Sequence, residues 1–352
     1  MSKVPIRPTV EALPAYKAGA RPTGRLVYKL SSNESPFPPL PGVLAAVESA
    51  AVDVNRYPRM VPERLVDGIA RFHGLEPNQV TVGAGSIAVI AHALAAVVEP
   101  GEQVLYGWRS FEAYPIVTGV AGAEAVTVPV TEDQRLDLEA MAAAVTPRTR
   151  AVLVCSPNNP TGPAVRQTEF EQFMAAVPSD VLVILDEAYV EFVTDPLAVD
   201  GLAALHRYSN LMVLRTFSKA YGLAGLRVGY ALGRPRLIEA VRTVTTPFSV
   251  SVMAELGALF SLQLQDELAQ RIQTVVETRN FMVEGLAAQG WEVPDAQGNF
   301  IWLDLGADAV PFSDACQRAG LLVRPFPNHG VRVSVGERPA AERLLEVAST
   351  WI

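Results

Sequence analysis

Polar and ionisable side chains follow several apolar runs of strand length in this chain of 352 residues. Three runs, which end near residues 154, 185 and 214, lead into the sequences SPNNPTG, DEAY and TFSK. A fourth run, Gln79–Val82, leads into GAGS. Ligands of open α/β sheets bind beyond the carboxyl ends of the strands. If the four strands are neighbours, one crevice would hold a carboxylate, an amide, a phenol, an amine and several hydroxyls.

Lys219 is the residue of this crevice whose chemistry is hardest to replace. The chain has four lysines, and Lys219 is the one that lies beyond residue 29. A genome that favours Arg and Ala would explain why lysine is scarce, but not why one lysine survives directly after Ser218. Arginine cannot take its place where a neutral amine must form a Schiff base. We therefore predict that Lys219 reacts with a carbonyl group.

The combined set of side chains matches one cofactor. Its phosphate would contact Gly85, Ser86 and Ser218, and its pyridine nitrogen would contact Asp186. Its phenolate oxygen would contact Asn159 and Tyr189, and its aldehyde would react with Lys219. That cofactor is pyridoxal 5′-phosphate. Each feature alone has a simpler interpretation, because an aspartate at a strand end is commonly a helix N-cap and a single lysine is commonly a surface charge.

The elements that must position these residues alternate between strand and helix. The predicted strands are Gln79–Val82, Gln103–Tyr106, Glu124–Val128, Ala151–Val154, Val181–Leu185 and Leu211–Leu214. The predicted helices are Pro41–Ala51, Pro62–Phe72, a helix from the GAGS segment to Val98, and Leu138–Val145. This alternation predicts an α/β fold, with a three-layer large domain whose mostly parallel sheet is covered on both faces.

The pattern changes after about Ser249. A long helical region runs to about Gln289, and three short strands with one helix between them follow, at Asn299–Leu303, Leu321–Arg324 and Val331–Val335. We predict a large cofactor-binding domain over residues 30–250, and a small α+β domain of residues 251–352 with an N-terminal arm of residues 1–29. Residues 1–41 are rich in proline, which predicts an extended arm and entry loop rather than a helix.

Composition narrows the classes of function. Hydrophobic residues make up 49% and charged residues 19%, which is typical of a globular protein. The net charge of −8 argues against a nucleic-acid or anionic-membrane partner. Two cysteines and four histidines without ligand spacing predict neither a disulfide framework nor a metal site. Without a signal core or a membrane-spanning run, the chain is predicted to be soluble and cytoplasmic.

Nine segments between residues 30 and 336 carry a resemblance to a known family. They are LSSNESPFPPLP, NRYP, VGAGS, YGWRSFEAYP, SPNNPTG, DEAYVEF, TFSKAYGLAGLRVGY, NFIWL and GVRVSVG. With these segments the chain resembles the fold-type-I, class II aminotransferases that depend on pyridoxal phosphate, and within them the histidinol-phosphate aminotransferase branch. The segment GWRSFEAYP resembles the actinobacterial aromatic (phenylalanine) aminotransferases of that branch.

The resemblance implies roles for matching residues. For catalysis these are Lys219, Asp186 and Tyr189. For the cofactor they are Ala84, Gly85, Ser86, Phe111, Asn159, Asp186, Tyr189, Thr216, Ser218, Lys219, Arg227 and Tyr57, and for the substrate Arg332, Asn33, Tyr16 and Arg324. Tyr57 would reach the cofactor of a neighbouring subunit, so a homodimer is implied. Tyr114 stays an alternative to Phe111 as the ring that stacks on the cofactor, and Arg324 stays open between a substrate contact and a structural ion pair.

The resemblance also implies an activity. It is the transfer of the amino group of phenylalanine, tyrosine or tryptophan to 2-oxoglutarate by a ping-pong mechanism. Candidate contacts for the substrate's ring are Tyr16, Phe111, Tyr114 and Phe326, while Arg332 would bind the α-carboxylate. The alternative is a histidinol-phosphate aminotransferase of histidine biosynthesis, and a related decarboxylase is less favoured. A dinucleotide-binding oxidoreductase is not supported, because the third glycine of the G-x-G-x-x-G pattern is absent.

Overall fold

A computed structural model of the chain describes residues 4–13, 15 and 28–351. A seven-stranded sheet lies at its centre. With elements numbered along the chain, the strands in spatial order are β2 (Val80–Gly83), β8 (Gly229–Leu232), β7 (Leu211–Thr216), β6 (Leu182–Asp186), β5 (Thr149–Cys155), β3 (Gln103–Trp108) and β4 (Glu124–Pro129). β8 runs antiparallel to both of its neighbours, and the other neighbouring pairs are parallel. The carboxyl ends of β3, β5, β6 and β7 therefore meet at one edge.

The strands are apolar on both faces because helices cover the sheet on both sides. On β5, Val152 and Val154 belong to one core cluster, while Ala151 and Leu153 belong to a second cluster on the opposite face. Successive side chains of a strand point to opposite faces. The same alternation decides which polar residues at the strand ends face a common cavity.

Helices flank the large sheet and the smaller sheets near the C-terminus. In the part of the chain that the structure describes they are α1 (Pro8–Glu11), α2 (Pro41–Ala50), α3 (Glu63–His73), α4 (Ser86–Val97), α5 (Tyr114–Ala121), α6 (Leu138–Ala143), α7 (Gln167–Ala176), α8 (Gly201–Arg207), α9 (Pro235–Thr243), α10 (Val252–Ser261), α11 (Gln265–Ala288), α12 (Ala309–Arg318) and α13 (Arg338–Ala348). Ser251 caps α10 by accepting a hydrogen bond from the Ala254 amide at 3.1 Å.

Two smaller sheets complete the fold of the described residues. β9 (Phe300–Gly306), β12 (His329–Ser334) and β11 (Arg324–Phe326) form an antiparallel sheet with β12 in the middle. β1 (Tyr28–Lys29) pairs in parallel with β10 (Leu321–Leu322). The Ser334 amide donates to the Leu30 carbonyl at 2.9 Å, so the segment after β1 is fixed against the end of β12.

The predicted fold class is confirmed, and most predicted strands lie within two or three residues of the observed ones. The single predicted strand Leu321–Arg324 is instead two strands, β10 and β11, which belong to different sheets. The sequence patterns did not reveal β1, β8, α5, α7, α8, α9 or α13. The prediction of no helix before residue 41 was wrong at one place, because Pro8–Glu11 forms a single turn of helix with Pro8 at its first position, where the fixed φ of proline suits a helix. The domain boundary near residue 250 stays a prediction. α10, which lies beyond it, packs on α2 and α3.

Candidate functional site

A cavity of about 240 Å³ lies at the carboxyl edge of the large sheet, where β11, β12 and the segment after β1 close over it. Most of the predicted site residues line it. Those from the predicted cofactor set are Ser86, Phe111, Asn159, Asp186, Tyr189, Thr216, Ser218, Lys219 and Arg227, and those from the predicted substrate set are Arg324 and Arg332. The fold thus brings together predicted residues that are up to 246 positions apart in the chain, from Ser86 to Arg332.

Asp186 ends β6 on the floor of the cavity and is 3% exposed. The Tyr114 hydroxyl donates to its Oδ2 at 2.8 Å, and the Ala188 amide donates to its Oδ1 at 3.2 Å. Burial raises the pKa of Asp186 to about 6, and these two hydrogen bonds oppose the rise. At neutral pH the carboxylate is therefore mostly ionised and stabilised by uncharged donors, so its charge can attract a cationic ring nitrogen.

Lys219 follows β7 and points into the same cavity. Its Nζ donates to the Ser32 carbonyl at 3.2 Å and lies 5.7 Å from the centroid of the Tyr189 ring. Burial, together with the positive charge of Arg332, lowers the pKa of Lys219 to about 7. A large share of the amine is therefore neutral near neutral pH, which is the form that attacks a carbonyl carbon.

An anion site is built where α4 begins. A Cβ at Gly85, whose φ is +84°, would lie 2.5 Å from Arg227 Nη2, and a Cβ at Gly229 would lie 2.4 Å from the Ser86 amide nitrogen. Glycine at these two positions therefore leaves the helix start open. Arg227 Nη1 lies 3.4 Å from Ser218 Oγ, so a guanidinium, a hydroxyl and the first amides of α4 converge. This donor set suits a phosphate group.

Polar contacts on the far side of the cavity join residues from distant parts of the chain. Asn33 Nδ2 donates to the Tyr189 hydroxyl at 3.0 Å. Arg332 donates to Asn159 Oδ1 at 2.6 Å and to the Ser31 carbonyl at 2.8 Å. Burial raises the pKa of Tyr189 above its usual range, so the phenol is neutral and able to donate. Arg332 can bind a carboxylate of a substrate while these neutral acceptors hold its side chain in place.

Some predicted residues lie away from the cavity. Asn33 is fully buried behind Tyr189, and the side chain of Tyr57 is 85% exposed on the surface of its own chain. The backbone of Ala84 and Gly85 leads into α4 beside the cavity. Tyr16 lies outside the described residues. The prediction that Tyr114 contacts the substrate's ring was wrong: Tyr114 begins α5, is fully buried and points beneath the cavity to Asp186.

Sequence reasoning missed several residues that shape the cavity. Glu112 forms an ion pair with Arg324 at 2.8 Å, and Ser110 donates to Asn158 Oδ1 at 2.8 Å, which ties the loop after β3 to the loop after β5. Cys155 ends β5 in the cavity wall. Glu112 was visible as the residue after Phe111, but nothing in the sequence indicates which cation it would meet.

Two kinds of feature are absent from the residues that the structure describes. None of their helices combines the length and the apolar run that crossing a bilayer requires. They also contain no group of three or more His, Cys, Asp or Glu side chains arranged to hold a metal ion.

Comparison with known proteins adds close relatives. The chain is 49% identical over 348 residues to an aromatic amino acid aminotransferase from Streptomyces avermitilis, which covers 98% of this chain and 97% of the relative. It is 48% identical over 349 residues, with the same coverage, to an aromatic amino acid aminotransferase from Thermobifida fusca.

Solved structures and a family model agree with these relatives. The histidinol-phosphate aminotransferase from Sinorhizobium meliloti in complex with pyridoxal-5′-phosphate superposes with a TM-score of 0.87 and 28% identity, over 99% of this chain and 98% of that one. The sequence model described as "Aminotransferase class I and II" matches residues 26–347. The chain therefore belongs to the class I and II aminotransferases.

Proposed function

We propose that the protein is a pyridoxal-phosphate-dependent aminotransferase that moves the amino group of aromatic amino acids to 2-oxoglutarate. One observation carries the proposal: the amine of Lys219 and the carboxylate of Asp186 face one cavity, with an anion site on one side and Arg332 on the other. The aromatic substrate class is supported by the relatives, which are named aromatic amino acid aminotransferases and cover nearly the whole chain.

The residues of the cavity fit pyridoxal phosphate. The open start of α4, Ser218 and Arg227 would bind the phosphate, and Lys219 would hold the aldehyde carbon. Asp186 would pair with the ring nitrogen, while Phe111 would cover the ring. When bound, the cofactor supplies an electron sink for the bonds at the α-carbon of the amino acid. Side chains that could meet each of its polar groups line this one cavity.

The chain's own residues contribute positioning and proton transfer. Arg332 would bind the α-carboxylate, because a guanidinium pairs with a carboxylate through two parallel hydrogen bonds. Lys219 Nζ would take the proton from the α-carbon as a general base, a role that its lowered pKa favours at neutral pH. Asp186 would keep the ring nitrogen protonated by its negative charge. Tyr189 and Asn159 would donate to the phenolate oxygen.

We further propose that the enzyme is a homodimer. The side chain of Tyr57 is exposed on its own chain, and its ring packs on Phe248 with the centroids 5.1 Å apart. Val52, Val54 and Met60 are exposed beside it in the sequence, so this segment presents apolar surface to a partner. In a dimer Tyr57 would reach the phosphate in the partner's cavity. We also infer a cytoplasmic location, since Cys155 and Cys316 are free thiols.

Single-turnover half-reactions test the proposal. The cofactor-loaded enzyme is mixed with L-phenylalanine and, separately, with histidinol phosphate, and the loss of the cofactor's absorbance is followed against concentration. We expect the ratio of the half-reaction rate constant to the dissociation constant to be much larger for phenylalanine than for histidinol phosphate, with phenylpyruvate as the product. A preference for histidinol phosphate would move the enzyme to histidine biosynthesis, and release of CO₂ would make it a decarboxylase.

Two lysine variants provide the matched comparison. Lys219→Ala should lower the rate of the half-reaction by at least about 10²–10⁴-fold, the usual contribution of a general base, and should abolish covalent capture of the cofactor. Lys29→Ala removes a lysine whose Nζ pairs with Glu34 at 2.7 Å and which would not touch the cofactor, so it should lower the rate far less than Lys219→Ala does, even though Glu34 also lines the cavity. Full activity of Lys219→Ala would contradict the proposed role.

A further inference from the structure

Two arginines lie side by side on the substrate side of the cavity. Arg324 on β11 is directly opposite Arg332 on β12 in the antiparallel register, so both side chains leave the same face of this sheet. Both guanidiniums also lie against the ring of Phe326, with their carbons 5.6 and 5.8 Å from its centroid. Like charges opposite each other destabilise a sheet unless other groups compensate them.

The two arginines are compensated in different ways. Arg332 donates to two neutral oxygens, Asn159 Oδ1 and the Ser31 carbonyl. Arg324 pairs with the carboxylate of Glu112 at 2.8 Å. The side chain of Arg324 is 12% exposed and that of Glu112 is 31% exposed, so the pair stands at the open side of the cavity. A substrate that enters meets Arg332, which donates to these two neutral oxygens, and Arg324, which forms an ion pair with Glu112.

We propose that Glu112 determines specificity, as an internal carboxylate that occupies Arg324 when the substrate's side chain is apolar and yields Arg324 to the second carboxylate of a dicarboxylic 2-oxo acid. This inference rests on the proposed function, which requires one cavity to accept an aromatic ring in one half-reaction and a carboxylate in the other. An unpaired guanidinium beside an apolar ring would be costly, and the Glu112 carboxylate removes that cost. A second carboxylate has to compete with Glu112.

The surroundings of Glu112 allow it to leave Arg324. Its side chain is partly exposed to water, and the Arg109 guanidinium lies close enough to interact with its charge. Within the described residues Arg109 Nε has no hydrogen-bond partner, and the guanidinium packs on the rings of Trp108 and Phe326 at 4.8 and 5.4 Å. Arg109 therefore offers Glu112 a second cation to pair with when a substrate carboxylate binds Arg324.

Binding of two unreactive acids tests the proposal without turnover. Glutarate carries the two carboxylates of the acceptor, and 3-phenylpropanoate carries one carboxylate and an aromatic ring. Dissociation constants are measured by titration calorimetry on the cofactor-loaded enzyme. In Glu112→Gln we expect glutarate to bind roughly three- to tenfold more tightly, because its competitor for Arg324 is gone, while the affinity for 3-phenylpropanoate stays equal or falls.

Glu102→Gln is the matched control. Glu102 pairs with Arg150 at 2.7 Å, and its side chain is 23% exposed, compared with 31% for Glu112. Glu102 precedes β3 and Glu112 follows it, so Glu102→Gln removes the same charge at the opposite end of this strand. It should change neither dissociation constant. An unchanged glutarate affinity in Glu112→Gln, or an equal gain for both acids, would overturn the proposal.

Arg324→Gln shows whether the gain depends on this guanidinium. It should weaken glutarate binding, and adding Glu112→Gln to it should give no further gain. A glutarate gain that persists without Arg324 would overturn the proposal, even if Glu112→Gln alone behaves as expected. Failure of the proposed function is distinguishable, because it appears as an inert wild-type enzyme in the half-reactions, whereas these affinities are measured without any reaction.

Discussion

Asp186 and Glu187 are consecutive acidic residues, both buried, that lie on opposite faces of the large sheet and have different partners. Asp186 accepts hydrogen bonds from the Tyr114 hydroxyl and the Ala188 amide. Glu187 forms an ion pair with Arg215 at 2.8 Å and accepts a hydrogen bond from the Gly201 amide at 3.1 Å. Burial raises the pKa of both carboxyl groups. Arg215 thus neutralises the charge of Glu187 through an ion pair, whereas neutral donors make the hydrogen bonds to Asp186 and Lys219 acts on it through its charge alone.

This difference separates a structural charge from a functional one. A buried carboxylate without a cation costs free energy, so a fold keeps one chiefly where it has a task. Asp186 retains a negative charge that a cationic ring nitrogen can use. Glu187 has its charge matched within the protein, and it links the end of β6 to β7 through Arg215. We therefore expect substitutions of Glu187 or Arg215 to lower the free energy of unfolding, and substitutions of Asp186 to lower catalytic activity.

The largest expected effect is on stability, from Arg215→Met. The substitution leaves Glu187 buried without its cation, and Arg215 also offsets the buried charge of Glu191. We expect the free energy of unfolding of the cofactor-free protein to fall by about 3–5 kcal/mol, the usual cost of breaking a buried ion pair. Denaturant unfolding measures it. Adding Glu187→Leu should restore part of the loss, because no buried charge is then left behind at that position.

An exposed pair provides the control for this experiment. Arg207 pairs with Glu171 at the surface, where their side chains are 57% and 35% exposed. Arg207→Met should lower the free energy of unfolding far less than Arg215→Met does, since solvent screens an exposed ion pair. If Arg207→Met and Arg215→Met were equally destabilising, the burial of the Glu187–Arg215 pair would not be what makes it important.

The next effect is on catalysis, from Asp186→Asn. The amide keeps the shape of the side chain and removes its charge, so the ring nitrogen would lose its acidic partner. We expect kcat/KM to fall roughly 10²–10³-fold, the range for removing one preorganised electrostatic contact. The free energy of unfolding of the cofactor-free protein should change by less than about 1 kcal/mol, because no buried ion pair is broken.

Glu187→Gln is the crossed comparison. It makes the same chemical change one residue later, and it should lower the free energy of unfolding while leaving kcat/KM per cofactor-loaded site far less affected than Asp186→Asn does. A loss of activity in Glu187→Gln as large as that in Asp186→Asn would show that the two faces of the sheet do not divide their tasks in this way.

The cofactor side of the cavity was predictable from the sequence because its residues follow apolar runs. Asp186 ends β6, and Ser218 and Lys219 closely follow β7. The alternating pattern predicted that these strands are parallel, and the carboxyl ends of parallel strands share one edge. The local sequence therefore predicted both that these residues lie at strand ends and that they meet at one edge of the sheet.

The pairing of charges was not predictable, because it depends on geometry that no local pattern shows. Arg215 meets Glu187 through the register of β6 and β7. Glu112 meets Arg324 only because β11 brings a residue 212 positions away to the loop after β3. Tyr114 was misplaced because it begins α5, a helix that the sequence pattern did not reveal. Without that helix, the direction of its side chain could not be inferred.

The smallest expected effect comes from Tyr114→Phe, which removes the hydroxyl that donates to Asp186 and leaves the ring. That hydrogen bond lowers the pKa of Asp186, so its loss raises the pKa above the present value of about 6. A protonated Asp186 cannot hold a cationic ring nitrogen, and activity falls as the pH drops through that pKa. We expect the acid limb of the profile of kcat/KM against pH to move to higher pH, with a loss at pH 7 of roughly two- to tenfold, because a hydrogen bond to a charged group contributes about one to two pKa units.

Tyr106→Phe distinguishes this effect from a general disturbance of the aromatic cluster. Tyr106 is buried, and its ring lies 5.8 Å from that of Tyr114. Removing its hydroxyl should leave the acid limb where it is, since the hydrogen bond that reaches Asp186 Oδ2 comes from Tyr114. An acid limb that moves equally in both variants would mean that packing, rather than the hydrogen bond to Asp186, sets the pH dependence. A limb that moves only in Tyr114→Phe would show that one neutral donor on the catalytic face keeps Asp186 ionised.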